Sequence, residues 1–467
     1  MDTAVFDRGL IEATLARALR HGGDFAEVYL EDRDSMNLRL EDGRIEQTSG
    51  GRLAGAAVRL LSGEHTYYAY SDDLNEPGLT AAADAVAAAV RSGAGAKEVV
   101  HLGAVRKRPE AHPVVLSPEG VAVALKAALV RSADEAARSA GAEIAQVMVG
   151  YADTRQKVLI ANSLGDLVFD DRTRTHFSTR VVARRGDVIQ TGHESIGGSA
   201  GFELLDEDVA RQTAADAAQK AVRMLDARPA PVGQMPVVLG NGFCGALFHE
   251  ACGHGLEADA IAKGASIYAG KTGEVVAAPL VSAYDDGSLP NGWGSQAFDD
   301  EGVPTQKTLV IEEGRLTGYL YDRLRARQMS AAPSGNGRRE SFRHVPIPRM
   351  TTTYIAPGDA TAEEIIAATP RGFYAASLAG GQVEPASGAF VFGVSEGFLI
   401  EDGKLTTPLR GATLIGNGID ILMKIDMIAG DFDVKPGTCG KDGQGVPVGT
   451  GQATLRIADM TVGGTDV

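Results

Sequence analysis

His249, Glu250 and His254 are the residues whose types and spacing could do chemistry. They stand in the run 245–260, Gly-Ala-Leu-Phe-His-Glu-Ala-Cys-Gly-His-Gly-Leu-Glu-Ala-Asp-Ala. Two neutral imidazoles and one further ligand suit a zinc-type ion that keeps a position open for water. A glutamate next to a ligand is poorly placed to bind the same ion, but it can accept the proton of that water and pass it to a leaving amine. The spacing is one residue longer than the His-Glu-x-x-His pattern of zinc peptidase helices. On a regular helix, positions five apart lie about 140° apart, so both imidazoles face one ion only if the helix is irregular. Gly253 directly precedes His254 and is placed to supply that irregularity, so the helix is expected to bulge or end there.

With nine histidines in the chain, two of them beside a glutamate can also arise from packing. A third ligand is therefore required. Glu257, Asp259 and Cys252 are near in sequence, and Cys439 lies far along the chain in the glycine-rich stretch 436–444. A cysteine with so little apolar sequence around it is poorly explained by core packing. Cys244 and Cys252 fall within the helical pattern and read as core or helix-face residues.

Other signals carry less. The run 264–272, GASIYAGKT, resembles a phosphate-binding loop. Its glycines are one residue too far apart and no strand pattern leads into it, so a flexible loop is expected. His193 and Glu194 lack a second histidine at ligand spacing and read as a surface or packing pair. Arg338, Arg339, His344 and Arg349 are concentrated in one loop-rich segment. They could hold a peptide carboxylate or an oxyanion, or pair with the acidic loop Asp299, Asp300 and Glu301, and their roles stay unassigned.

The elements that must position these groups are those of a two- or three-domain chain, since 467 residues exceed one ordinary core. A net charge of −16 argues against nucleic acid and acidic membranes as partners. Arg106, Lys107 and Arg108 form the longest basic cluster, next to Pro109, and read as solvated loop charge. No apolar run approaches bilayer length. The N-terminus, with Asp2, Asp7, Arg8 and Glu12, reads as an amphipathic helix and not a signal peptide. Three cysteines cannot build a disulfide framework, so a cytoplasmic location is expected.

Residues 26–30 and 145–149 each open a strand after a helix, followed by a polar turn, a long strand and a helix. This is a weak internal repeat over about 1–105 and 118–228. Ser117, Pro118 and Glu119 give a helix start signal, and 206–225 reads as an amphipathic helix. The Pro/Gly-rich stretch 228–233 is the best boundary. Beyond it the pattern is mainly β. Hairpin turns are expected at Glu313–Gly314 and Asp402–Gly403, helices are few, and one of them is capped by Thr361 with Glu364. The expected class is α+β: an α/β N-terminal half over 1–228 with duplicated elements, and a mainly β catalytic half over 234–467.

The stretch FHEACGHGLEAD (248–259) resembles the metal motif of the TldD/PmbA family of metalloproteases. The tail from Gly437 to Thr465, with GTCGKDGQ, VPVG and TVGGT, is similar too, as are DDEGVPT (299–305) and GNGRRESFRHVPIPRMTTTY (335–354). The resemblance covers essentially the whole chain. It implies His249, His254 and Cys439 as ligands of one divalent ion, usually Zn²⁺, with Glu250 as general base. It further implies cleavage of short or unfolded polypeptides, and a dimer with a paralogous PmbA/TldE-like chain that lacks the metal motif, or a homodimer. Thr352 departs from the pattern, which carries Asn there, and bears on substrate contacts and not on the metal. The rival reading is a non-catalytic binding or regulatory subunit with a structural metal.

Overall fold

The computed structural model describes residues 7–90, 101–108 and 111–464. Asp2, Pro109 and Thr465 lie outside the described residues. A period of two organises the first sheet, because successive side chains of a strand point to opposite faces. In β1 (Phe25–Glu41), Ala26, Val28 and Leu30 pack beneath α1 (Arg8–Ala18) and α2 (Glu76–Ala89). Further along the same face, Leu38 and Leu40 lie under α3 (Val123–Arg138) and α4 (Glu207–Met224). The alternate residues Glu27, Tyr29 and Glu31 are fully buried on the other face, against the C-terminal half.

The repeat read from sequence is present as two α-β-β-β-α units. The first is α1, β1, β2 (Arg44–Ser62), β3 (His65–Ser71) and α2; the second is α3, β4 (Ile144–Asn162), β5 (Leu167–Arg185), β6 (Val188–Gly198) and α4. Their strands form one sheet in the order β3-β2-β1-β4-β5-β6, with β1 and β4 antiparallel at its centre. That order is symmetric about the β1/β4 seam, as two copies joined by their first strands would give. Asp206 caps α4 by accepting from the Val209 amide. The signal at Ser117 opens only a 3₁₀ turn, Pro118–Gly120. The helix proper starts at Val123 after Ala122, which has no capping side chain.

In the second half, strands Arg371–Glu384, Gly233–Leu239, Leu455–Gly463, Thr413–Asn417 and Ala389–Glu401 close into a ring, since the first and last also pair. A separate sheet runs Arg315–Leu316, Lys307–Glu312, Ala283–Asp286, Thr352–Ile355, Gln444–Gln452 and Asp433–Lys441. Both expected hairpin turns form, with positive φ at Glu313 (44°) and Gly314 (83°) and at Asp402 (49°) and Gly403 (69°). The Thr361–Glu364 capping box begins the helix Ala362–Ala367. The fold is α+β.

The halves meet along a seam of apolar side chains, Tyr29, Val158 and Val168 against Phe298 and Phe342, threaded by ion pairs. Arg59 meets Glu301 at 2.5 Å, Arg172 meets Asp300 at 2.5 Å, and Arg339 pairs with Glu27. Taking these charges out of water is costly, and pairing and hydrogen bonding across the seam offset that cost. The acidic loop and Arg339 are therefore parts of this interlock. No helix among the described residues is long and apolar enough to cross a membrane.

Candidate metal centre

The segment carrying the motif is helical from Gly242 to Leu256, with its middle widened. Residues His249–Gly253 form a π turn in which the His254 amide donates to the His249 carbonyl. An i→i+5 bond takes one more residue per turn than the α-helix, and it brings positions five apart onto one side. The two rings accordingly sit with centroids 5.2 Å apart and nearly perpendicular, at 83°. The expected bulge is present, but Gly253 does not supply it through backbone freedom, since its φ of −54° and ψ of −52° are ordinary helix values. Its lack of a side chain serves packing instead: a Cβ there would lie 2.0 Å from Sδ of Met350, which is fully buried. Gly253→Val is expected to destabilise the fold by about 1–3 kcal/mol in denaturant unfolding, with partial recovery in the Met350→Ala background. Equal losses in both backgrounds would show that the clash is not the cause.

Cys439 reaches the histidines from the strand Asp433–Lys441. Its Sγ lies 3.3 Å from His254 Nε2, and one ligand atom from each of His249, His254 and Cys439 falls within 4.8 Å of the others. Zinc bond lengths at a tetrahedral angle put N and S roughly 3.5 Å apart, so the spacing suits a shared ion. The outer ring nitrogens are held: His254 Nδ1 donates to Glu257 Oε2 at 2.9 Å, and His249 Nδ1 lies 3.1 Å from Thr353 Oγ1. Both Nε2 atoms are thereby turned inward. His249 Nε2 is buried and has no hydrogen-bond partner, which a metal ion would resolve. Burial pushes the Cys439 thiol up, but the neighbouring imidazoles outweigh it and bring it down to about 4, so it is present as the thiolate a metal needs.

The other candidate third ligands are engaged elsewhere. Cys252 is buried, and burial raises its thiol to about 12. Asp259 and Glu257 share Lys441, whose Nζ donates to them at 2.7 and 2.9 Å. Burial of Glu257 is outweighed by His254 and Lys441, leaving it ionised with a pKa of about 2. Its place behind His254 is that of the carboxylate that orients a metal-binding imidazole. Glu257→Gln keeps the shape and removes the charge. It is expected to weaken metal affinity about 10–100-fold in a competition titration with a chelator, and unchanged affinity would exclude this role.

Glu250 projects beside the cluster, its Oε2 3.7 Å from His254 Nε2, and it remains 28% exposed. It thus stands at the solvent side of a group of otherwise buried side chains. Several supporting residues escaped the sequence reading. Thr353 stands in the strand Thr352–Ile355 on the face turned to His249; Lys441 follows Cys439 by two positions and so lies on the same side of its strand. Arg349 donates to the Cys439 and Gln444 carbonyls, and Arg338 to those of Met350 and Pro447. Arg349 thereby holds the strand that carries Cys439, and Arg338 holds the neighbouring strand Gln444–Gln452. His344 Nδ1 lies against Ser341 Oγ at 2.9 Å. Thr352 is buried with its face toward Gly449, away from His249.

The three consecutive PmbA/TldA metallopeptidase domains match this chain: domain 1 over residues 26–92, the central domain over 116–225 and the C-terminal domain over 232–464. A metalloprotease TldD homolog of Haemophilus influenzae is 41% identical over 457 residues, covering 95% of this chain and 93% of its own. The chain belongs to the TldD/PmbA metallopeptidase family. Among its other TldD/PmbA relatives, a metalloprotease of Methanothermobacter thermautotrophicus is 35% identical, with 95% of this chain and 96% of that one covered. Two solved structures share the fold. A putative modulator of DNA gyrase from Thermotoga maritima superposes with a TM-score of 0.81 at 23% identity, covering 97% of this chain and 99% of that one. TldE from Thermococcus kodakarensis gives 0.79 at 20% identity, with the same coverages.

Proposed function

We propose that this TldD/PmbA chain is a zinc-type peptidase acting on short or unfolded polypeptides, with His249, His254 and Cys439 as metal ligands and Glu250 as general base. The observation that carries the reading is the buried, unpartnered Nε2 of His249 facing the same point as His254 Nε2 and Cys439 Sγ, with Glu250 alongside. A divalent ion held there supplies Lewis-acid activation of water and of a peptide carbonyl. The remaining work belongs to the side chains. Glu250 accepts the proton of the attacking water and returns it to the leaving amine. Glu257 and Thr353 hold the imidazoles in the orientation that leaves both Nε2 atoms available. A centre sheltered between packed elements favours an extended chain over a folded one as substrate.

The 234–467 half carries this chemistry and the 1–228 half, docked on it through the ion-paired seam, is its scaffold. Within the cytoplasm the working unit is a dimer, either of this chain or with a paralogue lacking the metal motif. Support for the paired form is the likeness in fold to TldE, which concerns architecture alone.

The test is cleavage of an unstructured peptide by metal-loaded chain, alone and mixed with a paralogue. Chelation is expected to stop cleavage and zinc to restore it. Metal bound at full stoichiometry with no cleavage in either arrangement would overturn the peptidase reading in favour of a binding subunit.

A further inference from the structure

A cavity of about 390 Å³ lies between β5, residues 107–108, the segment 112–117 and residues 295–297, and none of the metal-centre residues lines it. Its polar lining is unusual in what remains unused. Asp170 is occupied by Arg172 at 2.9 Å and Asp171 by Arg155 at 2.8 Å, so the acidic groups are neutralised. Gln296 is 3% exposed, and its Nε2 has no hydrogen-bond partner. Ser117 Oγ is likewise buried without a partner, and His112 Nε2 is buried with no well-aligned bond, its ring lying near the Gln296 carbonyl. His112 Nδ1 accepts from the Asn291 amide at 3.3 Å, which leaves the ring proton on Nε2 as a donor. Arg108 stands exposed in the lining with no carboxylate partner among the described residues.

Behind this wall Arg174 donates to the carbonyls of Trp293 at 3.1 Å and Ser295 at 3.3 Å, again with no carboxylate partner among the described residues. Burial, together with the charges of Arg172 and Arg338, pushes its guanidinium down to about 9. The unused capacity is therefore made of hydrogen-bond donors and positive charge, in a chain whose net charge is −16. Leaving buried donors unpaired is costly, and a ligand rich in acceptors removes that cost. The volume is within the range of small-molecule sites.

We propose that this cavity binds a small oxyanion, a carboxylate or a phosphate, held by Gln296, His112, Ser117 and Arg108. The basic cluster at 106–108, which reads from sequence as solvated loop charge, then has a task in its last member.

The experiment is calorimetric titration of the metal-loaded full chain with succinate and, separately, with inorganic phosphate, at ionic strength held constant with chloride. Saturable binding of at least one anion with Kd of about 1 mM or tighter is expected. Succinate alone would identify a carboxylate site, phosphate alone a phosphate site, and both a general oxyanion site. Arg108→Glu and Gln296→Leu are each expected to weaken it about tenfold or more, whereas Cys439→Ala leaves it unchanged and so separates this site from the metal centre. Should Gln296→Leu fail to fold, the exposed Arg108→Glu decides alone. Absence of saturable binding up to about 10 mM, or affinity indifferent to these variants, would overturn the proposal.

Discussion

Glu250→Gln is expected to retain bound metal and to lose peptide cleavage, with kcat/KM falling about 10²–10⁴-fold. Glutamine keeps the size of the side chain and its place beside His254, but cannot take a proton. The side chain is partly exposed on the solvent side of the cluster, so the change disturbs little buried packing. Because KM reflects peptide contacts made elsewhere, the loss should appear in kcat. The decisive pair of measurements is metal content and turnover on one preparation. Normal turnover with metal present would remove Glu250 from the mechanism, and loss of metal would make it a ligand and not a base.

Cys439→Ala is expected to lower metal affinity by more than about 100-fold, the upper end of what losing only an outer partner of a ligand costs. The substitution deletes a thiolate that lies 3.3 Å from His254 Nε2. It should leave the fold intact, because the strand is still held through backbone carbonyls by Arg349. Without metal, His254 is held protonated: burial opposes the charge, but Glu257 and the Cys439 sulfur outweigh it and raise its pKa well above the ordinary imidazole value. Metal uptake must displace that proton, so wild-type affinity should fall as pH drops through the neutral range and proton release should accompany loading. The Cys439 thiolate, with its pKa brought to about 4, competes with protons only well below that range. Chelator competition at several pH values, with circular dichroism to verify folding, reads both effects. Full-stoichiometry zinc in the alanine variant would exclude the cysteine as a ligand.

The clustering of His249, His254 and Cys439 was legible because these residues break ordinary patterns. Cys439 stands in a glycine-rich stretch with little apolar sequence around it, although the fold buries it in the C-terminal core, and two histidines five apart demand a widened turn, which the structure supplies. Gly253 was legible as necessary and wrong in its reason, since the contact with Met350 joins residues about a hundred positions apart and local conformation cannot reveal it. The two α-β-β-β-α units showed through the recurrence of helix, strand and polar turn, yet the pairing of β1 with β4 that makes them one sheet is a long-range choice. The arginines at 338, 339 and 349 could not be assigned for the same reason. Their partners are carbonyls of distant strands and Glu27, and a carbonyl leaves no mark in a sequence.

The proposed metal-binding residues are unevenly placed along the chain: His254 and Cys439 are separated by 185 residues. An ion held between them is a cross-link, and it closes a loop that includes most of the C-terminal half. Closing so long a loop in the unfolded chain carries a large entropy penalty that grows only slowly with further length. An ion that binds the folded form alone therefore stabilises the whole half, by an amount set by its free concentration relative to its Kd. Metal supply would then govern how long the chain survives proteolysis as well as how fast it turns over.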